Sequence, residues 1–324
     1  MPNIKQGAVY ANKHRRERLL KTGYGILRLV LFISMGFVLL YPLLYMLSVA
    51  FRPVSEMYDP TVVWIPKTLT LDNMIEVFKK MEYPKALLNT VMIDFGSSVI
   101  QVFICAMVGY GFARFQFKFK NLLFAVLIMI IIIPPQLITI PSYLNLKSFD
   151  FFGLGSLIGL FRGEPLTINL LNSPFAFYLP ALFGAGIRSG LFIFIFRQFF
   201  RSMPRELEQS AYVDGSGPFK TYFRIMLPNA KTAIITVLLF SIVWYWNDYY
   251  YASMYFTTTR TVTTALYNIR ATLVTDSGLS IDDPIGFISR IQAACLYVVG
   301  PVLIFYIILQ RHFTESIERT GIVG

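Results

Sequence analysis

The feature that most constrains this chain is its alternation of long apolar runs with short basic stretches. Leu122 to Ile140 contains no charged residue, and a run of that length crosses a ~30 Å hydrocarbon layer as one helix. Hydrophobic residues make up 55% of the chain and its mean hydropathy is +0.58, above the ~45–50% apolar content of soluble domains. Taken in order, the runs predict six spans, at about Ile26–Val49, Leu87–Phe112, Leu122–Ile140, Phe175–Phe196, Ala233–Phe256 and Ile291–Leu309. The expected fold class is therefore all-α and polytopic, one bundle without internal repeats.

Charge orients these spans. The chain carries 29 Lys+Arg against 18 Asp+Glu, a net +11. The excess falls between spans. Lys13, Arg15, Arg16, Arg18 and Lys21 precede the first, Arg114, Lys118 and Lys120 follow the second, Arg197, Arg201 and Arg205 follow the fourth, and Arg311 and Arg319 follow the sixth. By the positive-inside rule both termini are expected in the cytoplasm, and the basic residues face anionic lipid of the bilayer, with no nucleic-acid partner. The expected organisation is a basic cytoplasmic N-terminus at 1–25, a six-helix domain at 26–312 and a cytoplasmic tail at 313–324. The first apolar run exceeds the ~7–15-residue core of a signal peptide and should stay as an anchor. Three segments are expected outside: Arg52–Pro84, Lys147–Pro174 with a short re-entrant or surface piece, and a stretch holding Asp276, Asp282 and Asp283.

Enzyme chemistry finds little material. His14 and His312 are the two histidines and sit in opposite tails, and Cys105 and Cys295 lie inside apolar runs. No His-based triad, multi-His metal site or disulfide framework follows from such a set. Gly215-Ser216-Gly217-Pro218-Phe219-Lys220-Thr221 superficially resembles a phosphate loop. Phe219, however, occupies the place before Lys that the backbone wrap reserves for Gly. The chain is expected to be no enzyme and to hold no cofactor.

One charged island separates two very apolar regions. Glu206 to Pro228 reads as two short helices joined at Asp214-Gly215, where Gly can take a positive φ, with Pro228 ending the second helix. Phe219, Tyr222 and Phe223 recur at helical spacing, with Lys220 and Arg224 on another face. An amphipathic hairpin at 204–228 on the aqueous side of the membrane is expected.

The hairpin resembles the EAA loop of ATP-binding-cassette importer permeases, whose pattern runs E-A-A-x-x-D-G and then x9-I-x-L-P. Here Gln209-Ser210-Ala211-Tyr212-Val213-Asp214-Gly215 leads to Ile225-Met226-Leu227-Pro228, with Gln and Ser in the first two places. The resemblance extends over Leu39 to Gln310. It includes Leu88-Asn89-Thr90, the GFARFQF stretch from Gly111, IPPQLITIPSY from Ile133, RQFFRSMPREL from Arg197, and Trp244 to Asp248. Together these are similar to the carbohydrate branch, the maltose-type second permease subunit of a bacterial cell membrane. The resemblance implies a heterodimeric pore with a second homologous permease and two ATP-binding-cassette ATPases that hold ATP and Mg²⁺. It also implies an extracytoplasmic sugar-binding protein. It makes 204–228 the coupling hairpin, with Gly215 and Asp214 at the turn and Glu206, Glu208 and Gln209 in polar contacts. Ala211, Phe219, Phe223, Leu227 and Pro228 would then seat it. Other cargoes on the same architecture remain open, as does an ion-gradient carrier, although no inverted repeat is found.

Residues for a substrate path are fewer. Arg188 lies nine residues before Arg197, about 13–14 Å along a continuous helix. Such a group faces a bundle interior or a water path. Three readings stay open: a pair with Asp94, a cap on broken-helix carbonyls, or a pore-lining role suited to an acidic or heavily hydroxylated glycan. Gln136 follows Pro134-Pro135, where the third span either breaks or ends. In WYWNDYYY, Asn247, Asp248 and Tyr251 could meet sugar hydroxyls and rings, with Asn247, Tyr251 and Tyr255 on one helical stripe. An interfacial aromatic belt explains the same composition.

Overall fold

The computed structural model describes residues 3–62, 64–277 and 284–321, and the side chains of 20–62, 64–161, 163–275, 285–308 and 310. Asp282, Asp283 and the last three residues of the tail lie outside the described residues. So do the side chains of Asp276, Arg162, Arg311, Arg319 and the N-terminal basic residues before Leu20. Among the described residues the chain is helical, with one isolated bridge between Phe149 and Ile168. It forms two compact units, one of residues 1–76 and 281–296, the other of 77–280 and 297–324.

The first unit is built on α1 (Asn3–Ala50), which runs through Pro42. The chain then turns through a short 3₁₀ segment, Val54–Tyr58, and reaches α2 (Asp72–Lys80). Buried Asn73 ties the end of α1 to the start of α2, donating to the carbonyls of Ala50 (3.0 Å) and Arg52 (2.7 Å). Ala50 is the last residue of α1, where carbonyls lack a partner within the helix, so the amide completes the helix end.

The second unit is organised by α3 (Tyr83–Arg114). There follow α4 (Lys120–Ile132), α5 (Gln136–Lys147), α6 (Leu154–Arg162), α7 (Phe175–Leu182) and α8 (Ser189–Ser202). Next come α9 (Glu206–Val213), α10 (Pro218–Thr221), a π turn at Tyr222–Met226 and α11 (Leu227–Asn229). The chain finishes with α12 (Lys231–Trp246), α13 (Tyr250–Tyr255), α14 (Val262–Ser277) and α15 (Pro284–Gly321). In this unit α3 crosses α8 at close range. A Cβ on Gly109 would stand 2.6 Å from Phe196 Cβ and 2.9 Å from the Arg197 amide nitrogen. Between lipid-embedded helices, which gain little from apolar burial, such small-residue contact is a main source of association.

Among the described residues three helices are long and apolar enough to cross a membrane: Leu20–Ala50, Tyr83–Arg114 and Ile285–Ile308. Two bent pairs, Lys120–Ile132 with Gln136–Lys147 and Pro218–Asn229 with Lys231–Trp246, bring the number to five if each is one span. The expected spans therefore need correction at their breaks. The third bends by 102° after Ile132, because Pro134 and Pro135 supply no amide hydrogen to continue the ladder. The fourth, expected as one helix over Phe175–Phe196, is split into α7 and α8. Its junction contains Gly184 at φ +68° and Arg188 at φ +60°, left-handed positions that no right-handed helix accommodates. The fifth stops at Trp246 and restarts at Tyr250, so Asn247, Tyr251 and Tyr255 do not share a helical stripe. The expected outer segments at Lys147–Pro174 and after Phe256 hold α6 and α14, respectively.

Candidate functional site

Two regions of the second unit hold the expected functional residues. The first is the hairpin from α9 to α11. Its turn is a Schellman closure: Ser216 N–H donates to Ala211 O (2.9 Å) and Gly215 N–H to Tyr212 O (3.0 Å), with Gly215 at φ +73°. Glycine meets that φ without the Cβ clash, and the two bonds satisfy carbonyls left over at the end of α9. The second arm does not stop at Pro228 as expected. It continues to Asn229 because the backbone widens into a π turn just before the proline, closed by Leu227 N–H on Tyr222 O. Asn229 Nδ2 donates to Ile225 O at 2.7 Å, filling another carbonyl in the same stretch.

The hairpin has an anchored face and a bare one. Tyr222 and Met226 are buried in one cluster with Val102, Ala106 and Tyr110 of α3 and Phe192, Phe196 and Phe200 of α8. Leu227 packs on the edge of that cluster, and Phe223 stacks on Phe103 with ring centroids 6.0 Å apart. Phe219 and Val213, by contrast, are 75% and 88% exposed. Glu206, Gln209, Asp214 and Pro228 are exposed too, whereas Ala211 is buried.

Glu208, expected in polar contacts, makes one within this chain. It is only 8% exposed, and its carboxylate pairs with Arg114 Nε at 3.4 Å. Arg114 also donates through Nη2 to Met203 O at 2.7 Å. The residue thus braces the hairpin against the end of α3 from within.

The second region is a cleft of about 520 Å³. Arg188, Tyr245, Tyr251 and Tyr255 line it together with apolar residues of α4, α5 and α7. The Arg188 guanidinium lies 5.1 Å from the centroid of the Trp244 ring. Gln101 of α3 donates to Ile187 O at 2.6 Å, and Ile187 N–H donates to Tyr245 Oη at 3.3 Å, so the turn before α8 is held from both sides. Asp94 and Asp248 line a separate, much smaller cavity between Thr90 and Thr263. Asp94 accepts from Ser98 Oγ at 3.3 Å, and Asp248 caps α13 by accepting from the amides of Tyr251 (3.3 Å) and Ala252 (2.9 Å). Gln136 and Asn247 are exposed and line neither cavity.

The sequence profile of the family described as binding-protein-dependent transport system inner membrane component matches residues 101–319, well over half of the chain. The chain belongs to that family. This makes it a multi-pass permease component of the inner membrane and not an enzyme. The permease is 26% identical over 296 residues to an arabinooligosaccharides transport system permease protein, AraQ, of Halalkalibacterium halodurans, covering 90% of this chain and 94% of the relative. It is 28% identical to the trehalose transport system permease protein SugB of Mycobacterium tuberculosis, covering 89% and 94%. It is 26% identical to the polygalacturonan/rhamnogalacturonan transport system permease protein YtcP of Bacillus subtilis, covering 89% and 96%. Among solved structures it resembles a chain in the crystal structure of a bacterial ABC transporter involved in the import of the acidic polysaccharide alginate. The TM-score is 0.69 at 18% identity, over 92% of this chain and 98% of that one. This last likeness shows the fold.

The permease thus gathers Arg188 and Tyr251 at one cleft and separates Asp94 and Asp248 from it. Several of its site-building residues carried no local signal in the sequence. Arg114 was legible as a topology charge and not as the partner of Glu208. Tyr245 was legible only as part of an aromatic run.

Proposed function

We propose that this permease is one subunit of an ATP-driven, binding-protein-dependent importer of a sugar of oligosaccharide size. It forms half of a heterodimeric pore with a second homologous permease. Two ATPase subunits hold ATP and Mg²⁺, and an extracytoplasmic sugar-binding protein delivers the cargo. The names of the relatives above, which refer to arabinooligosaccharides, trehalose and plant polyuronides, support a carbohydrate. The observation that carries the coupling role is the two-faced hairpin. Its bare tip at Val213 and Phe219 is available to a partner, while Tyr222 and Met226 are packed into the core of α3 and α8. Movement of a seated tip is thereby passed to the helices as rigid bodies, the kind of transition alternating access needs.

Gly215→Val in the assembled transporter tests this reading. No neighbouring atom lies within 4 Å of a Cβ there, so the substitution meets only the left-handed backbone cost of about 1–2 kcal/mol. Assembly is expected to survive while the ATPases hydrolyse ATP without matching sugar uptake. Uptake at the normal ratio to hydrolysis would overturn the coupling assignment.

A further inference from the structure

Among the described residues, Arg188 is the one charged residue lining the 520 Å³ cleft. It is exposed there, at φ +60° in the turn that opens α8. Both features work against stability. A side chain at that φ clashes with its own carbonyl, and a cation facing a largely apolar cleft has few polar neighbours to replace its water.

The three roles left open by the sequence now separate. Asp94 is engaged by Ser98 and lines a different cavity, so no ion pair with Arg188 forms. Among the described residues no carboxylate pairs with Arg188 and no carbonyl accepts from it. Its contact is the face of Trp244, which attracts the cation through the ring quadrupole and leaves the guanidinium N–H groups free. Beside it, Ser189 is among the residues that line the same cleft, with its hydroxyl buried. Opposite stand Tyr251 and Tyr255, with ring centroids 5.7 Å apart.

We propose that this cleft recognises the carboxylate of a uronic-acid unit in the cargo. The planar guanidinium takes the two carboxylate oxygens through paired N–H donors, a geometry a lysine cannot reproduce. The half-buried Tyr251, backed by Tyr255, takes the sugar ring. A neutral glycan could use Tyr251 equally well but would leave the guanidinium without an anionic partner. The proposal rests on the reading of the chain as a sugar importer's permease and names the chemical class of its cargo.

The test is uptake by the complete transporter, with its ATPases and binding protein, in proteoliposomes. The probes are an α-1,4-linked trigalacturonate and the same trisaccharide with its carboxyls reduced to alcohols. Delivery by the binding protein is common to wild type and variants, so the ratio of kcat/KM for the two probes isolates the permease. Arg188→Gln is expected to lower that ratio about tenfold, chiefly through KM for the acidic probe, and to leave the neutral probe within about twofold. An unchanged ratio overturns the carboxylate site while leaving the sugar importer standing, as does a wild type that carries only the neutral probe. A wild type that stimulates ATP hydrolysis with a cargo other than sugar, and carries neither probe, overturns both. Should the Gln variant fail to assemble, Arg188→Lys decides. A several-fold rise in KM confined to the acidic probe supports the paired contact, and equal changes for both probes refute it.

Discussion

The hairpin end and the cleft end of the second unit share α8 and are built in opposite ways. At the hairpin, α3 and α8 close tightly over Gly109, and Tyr222 and Met226 join their core. At the cleft, α7, α8 and α13 are short pieces set around a void of about 520 Å³. α3 touches both, through Gln101 on the turn before α8 and Arg114 on Glu208. α8 itself spans the distance between them, 14 residues or roughly 21 Å of helix. The difference separates a part that transmits force from a part that must change shape around a cargo. Dense packing makes the first bistable as a block, whereas broken helices bring a few polar groups, Arg188 among them, to the otherwise apolar second.

The contrast is most exposed to failure at the buried ion pair. Both members are nearly inaccessible, with side chains 7% and 10% exposed. Removing one leaves an uncompensated buried charge, a loss of about 3–5 kcal/mol. Glu208→Ala is therefore expected to strip most of the assembled complex from mildly solubilised membranes, read as the folded fraction in size exclusion and as a lowered melting temperature. Pairing it with Arg114→Met should recover much of the loss, since an apolar pair of similar volume is close to neutral in such sites. A Glu208→Ala complex of wild-type stability would mean that the hairpin is not braced from within.

How much of this was legible in the sequence follows the same division. The hairpin could be read because its signals are local: the Asp214-Gly215 turn, the aromatic spacing and the charged flanks all lie within 25 residues of each other. What escaped there was non-local, since nothing near Glu208 announces that Arg114 will meet it. The cleft could not be read in the same way because hydropathy averages over a span and passes over a break of a few residues. Gly184 and Gly186 in the expected fourth span, and Asn247-Asp248 in the fifth, were the available signs that those helices stop. Arg188 was correctly singled out as an ionisable group in an apolar run, yet it sits in a turn and not on a continuous helix.

A smaller effect is expected at the turn before α13, whose Tyr251 and Tyr255 line the cleft. Asp248 caps α13 by accepting two amide hydrogen bonds, and replacement of such a cap costs about 1 kcal/mol. Asp248→Ala should lower the melting temperature of the purified complex measurably but far less than Glu208→Ala. If the two losses are equal, the cleft end is as rigidly held as the hairpin end and the comparison collapses.

The smallest change in stability is expected at Phe219, and it is the most informative about mechanism. At 75% exposure the ring has little of its own chain to lose, and surface substitutions of this kind stay within about 0.5 kcal/mol. Its neighbour one turn on, Tyr222, is buried in the core with Met226, so truncating the first ring leaves the anchor intact. If the bare tip is where an ATPase seats the hairpin, Phe219→Ala leaves melting temperature unchanged while sugar uptake falls several-fold and ATP hydrolysis no longer tracks it. Unchanged stability together with unchanged uptake would show that the exposed ring is not a contact. The transmission of force would then have to enter through the exposed polar residues Glu206, Gln209 and Asp214 instead.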